Sequence, residues 1–325
     1  MKTVTTRFGT FGVQDMVECY PYGALRAVIP AKGTVITTGH GAFIPRSEAT
    51  DERTKTGASL EFYPDGALRS IILQNRTPIA TPAGEVLAEQ ILFYPDGAVK
   101  RVFPLCGRTS AYWSQEDEAG LLMPFAVATP LCGVTAKFLS LAFDDRGRMR
   151  SFTLFPGQIV DMDTPAGPVP VRIGAAFHPD GALRSVEPGR PTPVPTPAGM
   201  VLAFDPDATG ITGDVNSLEF DPSGRLKHVA MVRTKLTVRD QAGNEQEIMP
   251  AIRESLCGNS ETEPVAMTMA VEAGRLVVRR SPKEPAITVV GAQSGDFPAR
   301  AAILPPAGLF AAMQQSACHG APVSF

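Results

Sequence analysis

A basic side chain, arginine or lysine, follows a glycine at a fixed distance in six places along the 325-residue chain. The cation lies three residues after each glycine, and the six residues are Arg26, Arg69, Lys100, Arg150, Arg184 and Lys227. Guanidinium and ammonium groups that repeat on one surface can bind an anionic ligand or an acidic protein. The alternative is a solvated charged face that keeps a sheet soluble. The local structure around the glycines decides how these cations are arranged.

The residues around each glycine predict the tip of a β-hairpin. The template is an apolar residue, three turn residues, glycine, a small or basic residue, an aliphatic residue and the cation, as in Phe62-Tyr-Pro-Asp-Gly-Ala-Leu-Arg69. Proline presets φ for the first corner of a turn, and glycine accepts the left-handed conformation that closes it. With Pro64-Asp65-Gly66 as the loop, residue 63 faces 67, residue 62 faces 68 and residue 61 faces 69.

Variation among the copies agrees with this register. Where Arg148 or Arg225 follows the glycine, the residue opposite is Asp144 or Asp221. Where alanine follows the glycine, the residue opposite is a tyrosine or, in one copy, His178. The two positions change together, as expected for a cross-strand pair, and opposite charges there contribute from a few tenths to about 1 kcal/mol.

The register also divides the six cations into two groups. Three face a glutamate and are neutralised. The other three face an uncharged residue, and they are Lys100 opposite Leu92, Arg150 opposite Ala142 and Arg184 opposite Ala176. We therefore predict an anion-binding or acidic-partner patch at these three cations, with His178 close by. Neighbouring hairpins would space the cations about 10 Å apart.

A second series of turns lies between the tips and defines the architecture. The turns are predicted from Ala-Gly pairs at residues 83–84, 119–120, 166–167, 198–199 and 242–243. Two alternating kinds of turn indicate an all-β, antiparallel up-and-down meander of about six or seven repeated hairpins, with a degenerate seventh tip at residues 273–276. Tip glycines only 31 residues apart (Gly66 to Gly97) argue against a four-stranded propeller blade of about 40 to 45 residues. So many strands favour a strongly coiled sheet or a partly closed barrel.

The chain divides by this pattern into two parts. Residues 1–250 form a domain of β-hairpin repeats. Residues 251–325 form a divergent C-terminal β segment that ends in a short helix, predicted over residues 305–317, packing on the same sheet. Such a helix would cover a sheet edge that is otherwise open to pairing.

Composition limits the class of partner. The chain is 44% hydrophobic with thirty glycines and thirty prolines, which favours a globular protein rich in turns. Its net charge of −3 gives no general attraction to nucleic acid. No run of about 18 apolar residues predicts a membrane span. Five widely spaced cysteines indicate reduced thiols, and we expect a cytoplasmic protein.

Other reactive side chains carry weaker signals. Thiols and one imidazole that could bind zinc lack the two-residue spacing of a zinc ribbon, and they are Cys106, Cys132, Cys257 and Cys318-His319. His40, on a glycine-rich loop, is either a turn residue or a general base. Trp113 either anchors a partner or packs over the sheet. We assign no catalytic residue, metal or cofactor.

The core Tyr-Pro-Asp-Gly-Ala-Leu-Arg resembles the MORN-type repeat, in the variant found in bacteria, over residues 18 to 231. The resemblance implies a single-layer β-meander that serves as a scaffold or interaction surface. We therefore expect a non-catalytic, cytosolic protein that binds another protein, with an anionic ligand as a further option. One alternative is a hydrolase that uses a groove of the curled sheet. Another is a bacterial antitoxin or immunity-type partner.

Overall fold

The computed structural model describes residues 2–49, 57–106, 114–209, 212–240, 242–254, 262–291 and 296–305. The chain folds into two compact units. Unit 1 contains residues 1–158, 176–182 and 212–214, and unit 2 contains residues 159–175, 183–211 and 215–325. The bounds of these units do not match the predicted division, which placed a single boundary at residue 250.

The described residues form twenty-eight β-strands and one α-helix, so the chain is nearly all-β, as predicted. The strands up to the helix are β1 Lys2–Thr6, β2 Gly9–Cys19, β3 Leu25–Pro30, β4 Ile36–Thr38, β5 Gly41–Phe43, β6 Leu60–Phe62, β7 Leu68–Thr81, β8 Gly84–Phe93 and β9 Val99–Phe103. After helix α1 Gln115–Leu121 come β10 Phe125–Ala128, β11 Gly133–Ala136, β12 Phe138–Phe143, β13 Met149–Leu154, β14 Val160–Thr164, β15 Gly167–Phe177, β16 Leu183–Pro188, β17 Thr192–Thr196 and β18 Gly199–Ala203. The remaining strands are β19 Leu218–Phe220, β20 Leu226–Met231, β21 Thr234–Arg239, β22 Glu245–Ile248, β23 Ile252–Glu254, β24 Thr262–Pro264, β25 Met267–Glu272, β26 Arg275–Arg279, β27 Ile287–Val290 and β28 Ala299–Ile303.

Unit 1 is built on an antiparallel meander. Its strands pair in the order β1, β2, β3, β6, β7, β8, β9, β12 and β13. The hairpins β4–β5 and β10–β11 stand beside this series. The pairing among the described strands of this unit is linear and shows no closed barrel.

Unit 2 contains a second linear series. Strands β16, β19, β20, β25, β26 and β27 pair in that order, all antiparallel. Smaller ladders join β14 to β15, β17 to β18, β23 to β24, and β21 to both β22 and β28. The predicted seventh tip is a tighter turn here, because Glu272 pairs directly with Arg275 across Ala273-Gly274.

Each hairpin tip closes with the same two backbone hydrogen bonds. In one tip the Tyr63 N–H donates to the Ala67 carbonyl at 2.8 Å, and the Gly66 N–H donates to the Tyr63 carbonyl at 2.9 Å. Gly66 has a φ of +82°, which a side chain would strain. Phe62 pairs with Leu68 as predicted and is buried, which stabilises the fold by about 1.5–3 kcal/mol. Equivalent bonds close the tips that begin at Tyr20, Tyr94, Asp144, His178 and Asp221.

Beyond the tip the pairing differs from the prediction by one residue. Glu61 pairs with Ser70 and not with Arg69, because a β-bulge inserts Arg69 as an extra residue. The register shifts at the same place in five hairpins, and the inserted residues are Arg26, Arg69, Lys100, Arg150 and Lys227. The predicted cross-strand partners of Lys100 and Arg150 are therefore wrong, and each cation occupies the bulge of its hairpin.

The second series of turns is closed by a threonine. Thr81 Oγ1 donates to the Gly84 carbonyl at 2.6 Å and accepts from the Ala83 N–H at 3.2 Å. The same pair of bonds closes turns that begin at Thr6, Thr38, Thr164 and Thr196. We call these the arm turns. The Ala-Gly pair predicted three of them, but the shared signal is Thr-x-x-Gly.

Proline residues of the arm region pack against the glycines of hairpin tips. In unit 1 a Cβ added at Gly147 would meet Pro82 at 3.4 Å, and in unit 2 one added at Gly224 would meet Pro165 at 3.4 Å. The tip glycines are thus favoured by their positive φ, and at Gly147 and Gly224 a proline is also in contact distance. Each unit therefore has arms packed over hairpin tips in addition to its sheet.

Helix α1 corrects one predicted turn, because Ala119-Gly120 lies inside it. Ser114 begins the helix with a capping box in which Ser114 and Asp117 each accept a hydrogen bond from the other's backbone. The predicted C-terminal helix falls outside the described residues, apart from Pro305. In the described part of the chain, no helix has the length and apolar character needed to cross a membrane.

Candidate functional site

The candidate site is a line of three cations in unit 1, Arg69, Lys100 and Arg150, which we call the cationic row. All three side chains are exposed. Within the described residues, no carboxylate lies within the 4.0 Å ion-pair distance of any of them. The row therefore presents three exposed positive charges that form no direct ion pair within the described residues.

Equivalent cations outside the row are paired. Arg26 Nη1 lies 3.8 Å from Glu18 Oε2, and Lys227 Nζ lies 3.7 Å from Glu219 Oε2. Both pairs span the bulge and are exposed, so each contributes only about 0–1 kcal/mol. The third predicted pair, Arg69 with Glu61, is not formed, which adds Arg69 to the unpaired set.

The other predicted site residues are placed differently. Arg184 is half-buried on β16 in unit 2, so it is described apart from the cationic row. His178 belongs to unit 1 and begins the hairpin tip of residues 178–182, where its N–H donates to the Ala182 carbonyl at 2.8 Å. The four predicted residues are therefore divided between the two units.

Tyrosine rings link successive hairpin tips beside the row. The Tyr63 hydroxyl donates to the Phe93 carbonyl at 2.9 Å, and the Tyr94 hydroxyl donates to the Phe143 carbonyl at 3.0 Å. Each half-buried ring thus reaches from its own tip to the next one. Lys100 Nζ also lies 5.4 Å from the centre of the Tyr94 ring, in cation–π geometry. Half-buried aromatic rings therefore lie beside the cations on this surface.

A polar network that the sequence did not predict lies next to this row. Arg101 Nη2 lies 2.5 Å from Asp214 Oδ2, and the Ser151 hydroxyl donates to the other carboxylate oxygen. Burial by itself raises the pKa of Asp214, but the Ser151 hydrogen bond and the charges of Arg101 and Arg150 outweigh it and hold the pKa below its usual value. The carboxylate is ionised and bonded on both oxygens, so it fastens residues 212–214 to the sheet of unit 1.

The sequence held one signal for this network. In two tips of the row a serine follows the cation, as in Arg69-Ser70 and Arg150-Ser151, whereas Lys100 is followed by a second cation, Arg101. The bulge places Arg101 in the cross-strand row opposite Leu92, where its side chain can meet Asp214. Asp214 is distant in sequence and could not be assigned to this position without the tertiary structure.

His178 lines an open cleft of about 390 Å³ in unit 1. The cleft lies among an arm turn, the loop at residues 128–130 and two hairpin tips. Arg148 also lines this cleft. Its guanidinium donates to the Asp144 carboxylate at 2.7 Å and to the Pro179 carbonyl at 2.6 Å. The Asp144–Arg148 pair predicted from covariation is thus present, and it also links neighbouring tips. Because Arg148 is bound on both sides, it does not offer a site for an anion.

The weaker candidates have ordinary surroundings in the described residues. His40 Nε2 lies 3.2 Å from the Gly97 carbonyl, as a turn histidine against a tip. Cys106 is buried, whereas Cys19 and Cys132 are exposed. No group of three potential metal ligands occurs among the described residues. Trp113, Cys257, Cys318 and His319 lie outside them.

Comparison with known proteins finds no matching family model, no matching curated protein and no matching solved structure.

Proposed function

We propose that this protein is a non-catalytic interaction protein that binds an acidic segment of another protein through the cationic row. The observation that supports the proposal most directly is that Arg69, Lys100 and Arg150 are exposed and lack a carboxylate partner, while Arg26 and Lys227 at the same position of their hairpins have one. Unpaired charges on one surface attract a partner of opposite charge and orient it.

The finer features of the architecture belong to the same proposal. We infer that the hairpins with the common tip are MORN-like repeats and that the protein acts in the cytoplasm. The common tip hydrogen bonds and the common bulge support a repeated unit. The hydrolase and antitoxin alternatives stay predictions, because no described feature favours either of them.

Binding of poly-L-glutamate to the full chain tests the proposal. Two double variants remove the same amount of charge. Lys100→Gln with Arg150→Gln changes the row, and Arg26→Gln with Lys227→Gln changes the paired positions. We expect the first to weaken binding at least about tenfold at low salt and the second to change it less than about twofold. Raising the salt to about 0.5 M should abolish binding of the wild-type chain. Equal effects of the two variants would contradict the proposal.

A further inference from the structure

The cations of the row are evenly spaced, and this spacing favours one conformation of a bound partner. Ser70, Leu92, Arg101, Ala142 and Ser151 pair in sequence across five strands and form one line across the sheet. The three cations immediately precede Ser70, Arg101 and Ser151, so they lie along the same line. Successive cations are two strands apart, which is about 9.5 Å.

The step agrees with one common extended conformation. A polyproline II helix has three residues per turn and rises about 3.1 Å per residue, so every third side chain returns to the same face after about 9.3 Å. Side chains on one face of a β-strand repeat after about 6.7 Å, and an α-helix turns every 5.4 Å. Only the first of these periods matches the row.

Aromatic rings beside the cations match the remaining residues of such a helix. The Tyr63 and Tyr94 rings reach from their own tips to the next tip, where their hydroxyls donate to the Phe93 and Phe143 carbonyls. Lys100 Nζ lies 5.4 Å from the centre of the Tyr94 ring. Proline residues of polyproline II segments pack against aromatic side chains. An acidic residue would thus meet each cation, and the prolines beside it would meet the tyrosine rings.

We propose that the cationic row binds a proline-rich acidic segment in the polyproline II conformation, with a carboxylate at every third residue. This inference rests on the proposed function and adds the spacing and conformation of the partner. Nucleic acid fits less well, because the phosphates of a duplex strand follow one another about every 3.4 Å along the helix axis and do not repeat at the spacing of the row. An anionic membrane fits less well, because mobile lipid headgroups present no fixed spacing of charge that the row could match.

The test compares two labelled nonapeptides of identical composition by fluorescence anisotropy with the full chain. One is (Glu-Pro-Pro)3, and the other carries three glutamates followed by six prolines. We expect the periodic peptide to bind at least tenfold more tightly. Lys100→Gln should remove most of that preference, whereas Arg26→Gln, at the paired position, should leave it unchanged.

The outcomes separate the two proposals. If the two peptides bind equally and both lose affinity in Lys100→Gln, the proposed spacing of carboxylates in the partner would be wrong. The proposed function would stay in place. No binding of either peptide or of poly-L-glutamate would overturn both. Vesicles of phosphatidylserine and a single-stranded oligonucleotide are tested in the same way. If either binds more tightly than the periodic peptide and loses affinity in Lys100→Gln, that class of ligand would replace the proposed partner.

Discussion

Two buried glutamates, Glu89 in unit 1 and Glu187 in unit 2, hold neighbouring backbone in different ways. Glu89 accepts from the Cys106 N–H at 2.7 Å and lies 3.3 Å from the Arg76 guanidinium. Glu187 accepts from the N–H and the hydroxyl of Ser217, both at 2.8 Å. The exposed fractions of these residues are only 5% and 2%. Burial is thus nearly the same, but the partners differ in charge.

An arginine also lies near Glu187, but its donors are used elsewhere. Arg172 donates to the carbonyls of Pro188 and Asp205, and its guanidinium lies 5.0 Å from the centre of the Phe204 ring. Burial raises the pKa of Glu187 to about 7, against the lowering effects of the Ser217 hydrogen bonds and of Arg172. The comparison shows that a nearby arginine forms an ion pair with a buried carboxylate only when its N–H groups point at it.

The largest expected effect comes from neutralising the paired glutamate. Glu89→Gln leaves Arg76 without its carboxylate, and we expect the free energy of unfolding at pH 7 to fall by about 3 kcal/mol. Urea denaturation monitored by circular dichroism measures it. The matched control is Glu187→Gln, which should not destabilise the chain at this pH. Similar losses in both variants would show that the two sites are alike.

The next effect is a dependence of stability on pH that belongs to Glu187. Its pKa is raised from 4.5 to about 7 by folding, so its contribution is complete below about pH 4.5 and is lost as the pH rises through about 7. The loss is on the order of 3 kcal/mol. Glu187→Gln removes this dependence and should be more stable than the wild type at pH 8. Parallel pH profiles of the two proteins, obtained from urea denaturation, would contradict the raised pKa.

The smallest effect concerns the residues that donate hydrogen bonds to the two glutamates. Ser217→Ala removes one of two hydrogen bonds to Glu187, and we expect a loss of about 1 kcal/mol at pH 7. The decline in stability should also move to higher pH, because this bond lowers the pKa. Cys106→Ser is the comparison in unit 1, where the backbone N–H and not the side chain holds Glu89. A loss there as large as in Ser217→Ala would mean that the thiol contributes to the site.

Much of the fold could be predicted from local sequence. The turn chemistry of Pro64-Asp65-Gly66 and the joint change of Asp144 with Arg148 fixed the tips and the first pair beyond them. The bulge could not be predicted in this way, because it depends on the twist of paired strands, and its omission gave wrong partners for Lys100 and Arg150. The arm turns were recognised only where Ala-Gly marked them, since the role of threonine is a side-chain contact.

The candidate site was predicted in part. Sequence identified Lys100 and Arg150, but it excluded Arg69, which the incorrect register had paired with Glu61. It missed Arg101 and Asp214, which are more than a hundred residues apart and meet only through tertiary contacts. The partners of Glu89 and Glu187 could not be predicted either, because the contacts of each glutamate depend on the direction in which a nearby arginine points its N–H groups.

The sequence by itself determined that this protein is an antiparallel β structure with hairpin tips at six recurring motifs, because turn geometry is encoded in a few adjacent residues. The tertiary structure decided which cations remain unpaired, which buried glutamate is paired with an arginine and which distant residues meet. Ion pairs and pKa values depend on the distance and direction between groups brought together by folding, and this information is not present in any single stretch of the chain.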